Sequence, residues 1–350
     1  NAGAQAGIGV GAQAGAKVEA KVEVGKGLRY QNTQETETKS TTTQQTNSFN
    51  AKNDITRTAG DTIKDQGTQL QAGGSIAQSA RTITDQAVSN TTSSSKSSQT
   101  HDARLGVFAG ASAEVGGSLS TTLIGTGDSK PVKAEASAGV GVRASYTGAV
   151  NTSKEETTKA VTSSYKAGND ISTTSSGNTS LQGTRMEAGK DVNIQAGSLD
   201  VGAAKNTRSS SSNKNDINAQ LGGTLLGTPG VDAKAGYKGK TADSNSSADQ
   251  VGSIKAGGNV AVNSGGNANF TGTKIESGGT TSVNAQGDVN FNAAQSTSQS
   301  STQDIKAKGG IKAGTGSGSA NLDGGYARGD RSSTTGEGAT INAKGGIDIN

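Results

Sequence analysis

Hydrophobic residues recur along this chain in two rhythms. In the first, an aliphatic residue is followed 12 positions later by a Gly-Thr pair and 21 positions later by the next aliphatic slot. Ile55, Ile171 and Val260 each open such a block, with pairs at Gly67-Thr68, Gly183-Thr184 and Gly272-Thr273, and a further copy begins at Gly345-Gly346-Ile347. Within the first block Ile55, Ile63, Leu70, Ile76 and Ile83 alternate with turns such as Ala59-Gly60-Asp61 and Ala72-Gly73-Gly74. Strands this short with turns this regular predict the rungs of a parallel β-helix, whose stacked coils line up their aliphatics in interior ladders. A closed coil of about 20 residues advances roughly 4.8 Å, the spacing between strands of a sheet.

The second rhythm has a period of two, the signature of β-strands with one apolar face. From Ala4 to Val24 the even positions hold Ala, Ile and Val, while Gln, Gly, Lys and Glu fill the odd ones. The alternation returns from Leu105 to Val115 and from Val132 to Tyr146, on either side of a turn region at Gly125 to Pro131. It returns again in Ile217 to Leu225 and Val231 to Tyr237 around Thr228-Pro229-Gly230, and in Ile305 to Ala313 and Ala320 to Tyr326. Two such arms joined by a Gly/Asp/Pro turn read as a β-hairpin. Polar strips rich in Ser and Thr, such as Gln31 to Ser48 and Ser89 to Thr100, flank the arms and favour solvated strand over helix.

The expected fold class is therefore all-β, with right-handed parallel β-helix coils interrupted by antiparallel amphipathic β-hairpins. Repeat blocks are expected at 49–88, 165–204, 251–294 and from 341. Hairpins and polar strips are expected at 1–48, 89–164, 205–250 and 295–340. The unit shortens along the chain, from 116 residues between Ile55 and Ile171 to 87 between Val260 and Ile347.

Composition narrows this picture. With 29% hydrophobic residues, 3% aromatics and 53 glycines, the chain cannot fill a core of ordinary thickness, so the core is one or two side chains wide. A disordered polar chain would have the same composition, but disorder gives no reason to hold aliphatics 21 residues apart. The net charge of +4 is spread among interspersed acids and bases, and without a basic patch interleaved with aromatics no nucleic-acid partner is expected. Cysteine is absent, which removes disulfides and thiolate metal sites and fits an exported bacterial protein. No apolar run approaches the length of a transmembrane helix, and none reads as a signal peptide.

Ala188-Gly-Lys-Asp-Val-Asn-Ile194 and Ala285-Gln-Gly-Asp-Val-Asn-Phe291 carry a family resemblance. With three copies in register, the blocks resemble the haemagglutinin repeats of filamentous haemagglutinin and its relatives. Those are giant exoproteins of Gram-negative two-partner secretion systems and include the contact-dependent growth-inhibition toxins. The alternation of blocks with Gly/Ala hairpins is most similar to the distal haemagglutinin-repeat region of those toxins, and the likeness covers essentially the whole chain. It implies a rod-like β-helix, secreted or on the bacterial surface, and an outer-membrane secretion partner engaged through another region of the protein. In the toxins, the resemblance further implies a role in carrying a C-terminal toxin across the target cell's outer membrane.

Few residues suit chemistry. His101 is the single histidine, in a polar strip, so no His-dependent triad or zinc site is expected around it. Asp54, Asp170, Asp191 and Asp288 precede aliphatic beads at turn slots, where an aspartate closes a turn on nearby backbone N–H groups. The spacing of calcium-binding β-rolls and the Gly-Lys-Ser/Thr phosphate loop are both missing. No catalytic residue, metal or cofactor is expected, and no enzyme.

Two surface features remain. Arg328-Gly329-Asp330 spells the integrin-binding tripeptide beside a hairpin arm. Tyr30, Tyr146, Tyr237 and Tyr326 each fall near the end of a hairpin arm, 21 to 25 residues before the next block. Strands that cross a membrane alternate in this way over about 9 to 11 residues and place aromatics at the interface. The alternative for the arms is that Ala/Val faces pack the hairpins on one another or on the β-helix, with Tyr capping the end. The expected function is a non-enzymatic structural and delivery segment acting at a target cell's outer membrane or its surface proteins. The alternative is an adhesin stalk binding host or bacterial surfaces.

Overall fold

The computed structural model describes residues 4–9, 16–117, 133–226 and 229–350, with side chains over 25–109, 139–226 and 229–350. The turn expected at Gly125 to Pro131, Thr228, and the alternating residues Val10, Ala12, Ala14 and Val132 lie outside the described residues. Every described element is a β-strand or bridge, and no described helix is long and apolar enough to cross a membrane.

The chain enters through β1 (Ala4–Gly9) and the long β2 (Ala16–Thr42), then winds. Coil 1 comprises β3 (Ser48–Ala51), β4 (Ile55–Thr58) and β5 (Thr62–Gln66), and coil 2 comprises β6 (Gln69–Ala72), β7 (Ile76–Ala80) and β8 (Thr82–Gln86). The first excursion leaves as β9 (Val88–Gly117) and returns as β10 (Lys133–Val161). Coil 3 is β11 (Ser164–Ala167), β12 (Ile171–Ser175) and β13 (Asn178–Gln182), and coil 4 is β14 (Arg185–Ala188), β15 (Val192–Ala196) and β16 (Ser198–Gly202). The second excursion is β17 (Ala204–Leu226) with β18 (Gly230–Gln250). Coil 5 is β19 (Ser253–Ala256), β20 (Val260–Ser264) and β21 (Ala268–Thr271), and coil 6 is β22 (Lys274–Ser277), β23 (Thr281–Ala285) and β24 (Val289–Asn292). The third excursion, β25 (Ala294–Gly314) and β26 (Ser317–Glu337), is followed by β27 (Thr340–Ala343) and β28 (Ile347–Ile349) of coil 7.

First, second and third strands of the coils stack in parallel into three sheets, which enclose a triangular core. The backbone of each strand is satisfied by the coils on either side, and period-two alternation turns every second side chain inward. One interior column runs Leu70, Tyr165, Met186, Ile254, Ile275, Ile341, and another runs Ile55, Ile76, Ile171, Val192, Val260. These are the ladders expected from the aliphatic spacing. Phe270 and Phe291, consecutive in a third-sheet column, stack with ring centroids 5.3 Å apart.

Corner chemistry decides where the chain departs. Within each pair of coils the third corner is the Gly-Thr turn: Gly67, Gly183 and Gly272 all have φ of 64°, the left-handed region, and Thr68, Thr184 and Thr273 are buried. After the second coil of each pair the same corner is replaced by an excursion. Two coils advance about 9.6 Å, which is also the width of two antiparallel strands, so each hairpin arrives beside the one before it. The seven long strands, with the short β1 at one edge, therefore form one antiparallel sheet in the order β1-β2-β9-β10-β17-β18-β25-β26.

The aspartates work differently from the sequence expectation. Asp54, Asp170 and Asp191 accept from backbone N–H groups of the next coil rather than of their own turn: Ser75 at 2.6 Å, Asp191 at 3.0 Å and Asn259 at 2.6 Å. Asn259 continues the ladder by accepting from Thr280 at 2.8 Å. Asp288 stands at another corner, where its own N–H donates to Asn267 Oδ1 at 2.9 Å.

Candidate functional site

The polar strips and the alternating arms prove to be halves of the same strands. β9 runs from the Ser-rich stretch next to the coils straight into the Leu105 arm, about 100 Å for its 30 residues. The half near the coils is polar on both faces, and the distal half is amphipathic.

Register places the apolar residues in rows that cross the sheet. Leu28, Leu105, Ala144, Leu221, Ala233, Ile311 and Ala320 are successive partners on seven strands. The next row, two residues nearer the coils, is Tyr30, Ala103, Tyr146, Ala219, Ala235, Gly309 and Leu322. Lys26, Val107, Val142, Gly223 and Val231 lie in a third row on the distal side. The hairpins meet edge to edge through backbone hydrogen bonds, and this face is left uncovered. Leu322 is 88% exposed, Leu28 78% and Leu221 56%. Residues of all seven strands, from β2 to the edge strand β26, line one open hollow of about 1090 Å³ on this face.

The four tyrosines lie on this same face, at its boundary with the polar half. Tyr30 and Tyr146 share a row, while Tyr237 sits one row and Tyr326 two rows nearer the coils, so the aromatic line slants across the sheet. Tyr146 and Tyr237 lie over Gly148 and Gly239, where an added Cβ would meet the phenol. Tyr146 Oη is 2.7 Å from Nδ1 of His101, and Tyr237 donates to Asn215 Oδ1 at 2.7 Å. His101 is thereby placed in the hairpin sheet, on β9. The opposite face carries charge: Asp102 accepts from Arg104 and Arg29, whose hydrogen bonds hold its carboxyl well below the usual carboxylate range.

Arg328, Gly329 and Asp330 lie in the edge strand β26, fully extended. Arg328 Nε donates to Asp330 Oδ2 at 2.9 Å, so the ends of the tripeptide are paired with each other, and bonds from Ser301 and Arg328 lower the Asp330 carboxyl.

One cluster was missed in the sequence. Arg57, Asp65, Asp85 and the fifth tyrosine, Tyr165, point into the coil stack. The signal was present: Ile55, Ile63 and Ile83 face inward, and a period of two carries Arg57, Asp65 and Asp85 in with them. Charge argued for the surface and hid it.

A hemagglutinin repeat profile matches residues 28–139, 144–277 and 233–350, which together take in the coils and the sheet. The chain belongs to the hemagglutinin-repeat family. It is a haemagglutinin-repeat region of a secreted exoprotein of the two-partner type. A hemolysin of Serratia marcescens is 30% identical over 319 residues, 87% of this chain and 20% of the hemolysin. The chain thus spans a fifth of the length of that curated relative. No solved structure matches it.

Proposed function

We propose that this haemagglutinin-repeat region is a non-enzymatic delivery segment whose hairpin sheet associates with the outer membrane of a target cell. In this reading the coils are a stiff spacer, a toxin carried elsewhere on the exoprotein is the cargo, and export of the whole uses an outer-membrane partner bound by another region. The observation that carries the reading is the uncovered apolar face, crossing seven strands and bounded by tyrosines on its polar side. A contiguous apolar surface of that extent marks an interaction site. The face is exposed along its whole width, with Leu28, Leu221 and Leu322 in solvent. The sheet is therefore suited to lying against the bilayer with this face toward the acyl chains and the tyrosines at headgroup level.

The test is co-flotation of the chain with vesicles of outer-membrane lipids, for the natural sequence and for Leu105→Asp with Leu221→Asp. Binding by the natural sequence and its loss in the double variant are expected. Equal flotation of the two, or none by either, would overturn the reading. An adhesin stalk working through Arg328-Gly329-Asp330 has less support, because Arg328 and Asp330 already engage each other. Asp330→Glu is expected to leave cell attachment unchanged.

A further inference from the structure

The interior columns change character along the coil stack. One runs Arg57, Gln78, Thr173 and then Ile194, Val262 and Val283; another runs Asp65, Asp85 and then Leu181, Val201 and Phe270. The polar members gather in coils 1 to 3. Tyr165 is 0% exposed, Asp85 1% and Asp65 5%.

Their hydrogen bonds fix the number of protons. Tyr165 Oη lies 2.6 Å from Asp65 Oδ2 and 2.5 Å from Asp85 Oδ1. Each contact needs a hydrogen between its oxygens, and a phenol has one to give. Arg57 grips both oxygens of Asp65, Nη1 to Oδ1 at 2.8 Å and Nη2 to Oδ2 at 2.6 Å, which makes Asp65 a carboxylate and the acceptor of the phenol proton. The hydrogen in the other contact then comes from Asp85 itself, a neutral acid that donates from Oδ1 to the phenol oxygen while Oδ2 accepts from Thr184 at 3.0 Å. Asp65 and Asp85 are direct partners in the ladder between β5 and β8, and with one guanidinium beside them a shared site of this kind resists a second negative charge.

We propose that Asp85 is a proton-operated latch at the root of the first hairpin, tying coil 2 to coil 3 through Tyr165 when protonated and loosening that junction when ionised. Its place in the chain gives the latch its purchase. β8 ends at Gln86, just before β9 departs at Val88, and β11 begins at Ser164, just after β10 returns, so the Asp85–Tyr165 contact bridges the base of the hairpin. The charged or titratable groups facing Asp85 are Arg57 on β4, Asp65 on β5 and Tyr165 on β11. β8 has no other charged residue, and Gln78, Leu181 and Thr184 are neutral. Burial, aided by the Asp65 charge and opposed by the Tyr165 and Thr184 bonds, pushes the Asp85 carboxyl up to about 7. Burial also acts to raise Asp65, but its bonds from Arg57 and Tyr165 hold it below the usual range, so it stays ionised while Asp85 titrates. Between the ordinary carboxylate value near ~4 and about 7, the closed junction keeps a proton that the opened one releases. Opening therefore becomes easier as pH rises through that window and levels off above it.

Amide hydrogen exchange of the whole chain between pH 5 and 8, corrected for intrinsic rates, tests this beside D85N. The asparagine amide donates to the phenol and its Oδ1 accepts from Thr184, as the neutral acid does. In the natural sequence the open fraction of β7, β8 and β11 is expected to rise by up to about tenfold per pH unit and then level off. In D85N it is expected to stay low and flat, and the coil 5 and 6 strands, which carry no buried carboxylate, are expected to be flat in both proteins. Should D85N fail to fold, infrared spectra of the natural chain at pH 6 and pH 8.5 still decide: a carboxylic-acid carbonyl band present only at the lower pH supports the latch. Identical pH profiles in the two proteins, or no such band, would overturn it.

Discussion

The coil stack and the hairpin sheet are both built from β-strands at the same spacing, yet they treat their apolar residues in opposite ways. Each coil turns back on itself three times, so its strands gain hydrogen-bond partners above and below and also an enclosed face. The hairpin sheet has the partners without the enclosure: it is a single layer, and Leu28, Leu221 and Leu322 stand in solvent. Backbone pairing therefore sets the shape of both regions, while burial stabilises only one. The coils also supply what the sheet lacks, since their advance places each hairpin where its neighbour can pair with it.

Truncating a buried and an exposed aliphatic gives the sharpest contrast. Ile194→Ala, in the coil core, is expected to cost about 2–5 kcal/mol in chemical denaturation. Leu221→Ala, on the sheet, is expected to cost under ~0.5 kcal/mol while no partner covers it. Equal losses would mean that the sheet face is covered in solution.

Glycines with positive φ give the next largest effect. Gly183 has φ of 64°, and a Cβ there would meet Thr162 Cγ2 at 2.7 Å and Ala204 Cβ at 3.0 Å, the roots of two hairpins. Gly183→Ala is expected to destabilise by about 1–3 kcal/mol. Gly316, at the tip of the third hairpin, has φ of 86° but open space around it, so Gly316→Ala carries only the backbone strain, about 1 kcal/mol. Thermal unfolding of the two variants separates packing from conformation.

The smallest contrast concerns polar ladders. Removing Asp191, which accepts from Asn259 N across a coil boundary at 2.6 Å, is expected to cost about 0.5–1.5 kcal/mol as Asp191→Ala. Ser209→Ala, which deletes an exposed bond to Asn245 in the sheet, is expected to fall within ~0.5 kcal/mol of the natural chain. A larger loss from Ser209 would show that the sheet depends on its side chains as well as its backbone.

Much of this architecture was legible. The spacing of Ile55, Gly67 and Ile76 marks a closed coil because only a stacked coil requires aliphatics at that interval, and the alternation around Leu105 and Ala144 marks hairpin arms because the pleat has a period of two. Other features were not. The polar strips looked like separate segments, since composition changes within β9 although the backbone does not. The tyrosines, expected at the ends of arms, lie within strands that run on toward the coils, and their common face and slanting rows follow from register between strands up to about 300 residues apart.

By itself the sequence determined local periodicity, and with it the strand type and the alternation of stacked coils with hairpin arms. Only the tertiary structure decided that the hairpins join into one sheet, that the apolar rows line up on one exposed face, and that Asp65, Asp85 and Tyr165 meet in hydrogen bonds across three coils. The reason is one of range: periodicity belongs to neighbours in the chain, whereas the match of two coils to two strands, and the proton balance of a buried cluster, exist only once distant segments stand side by side.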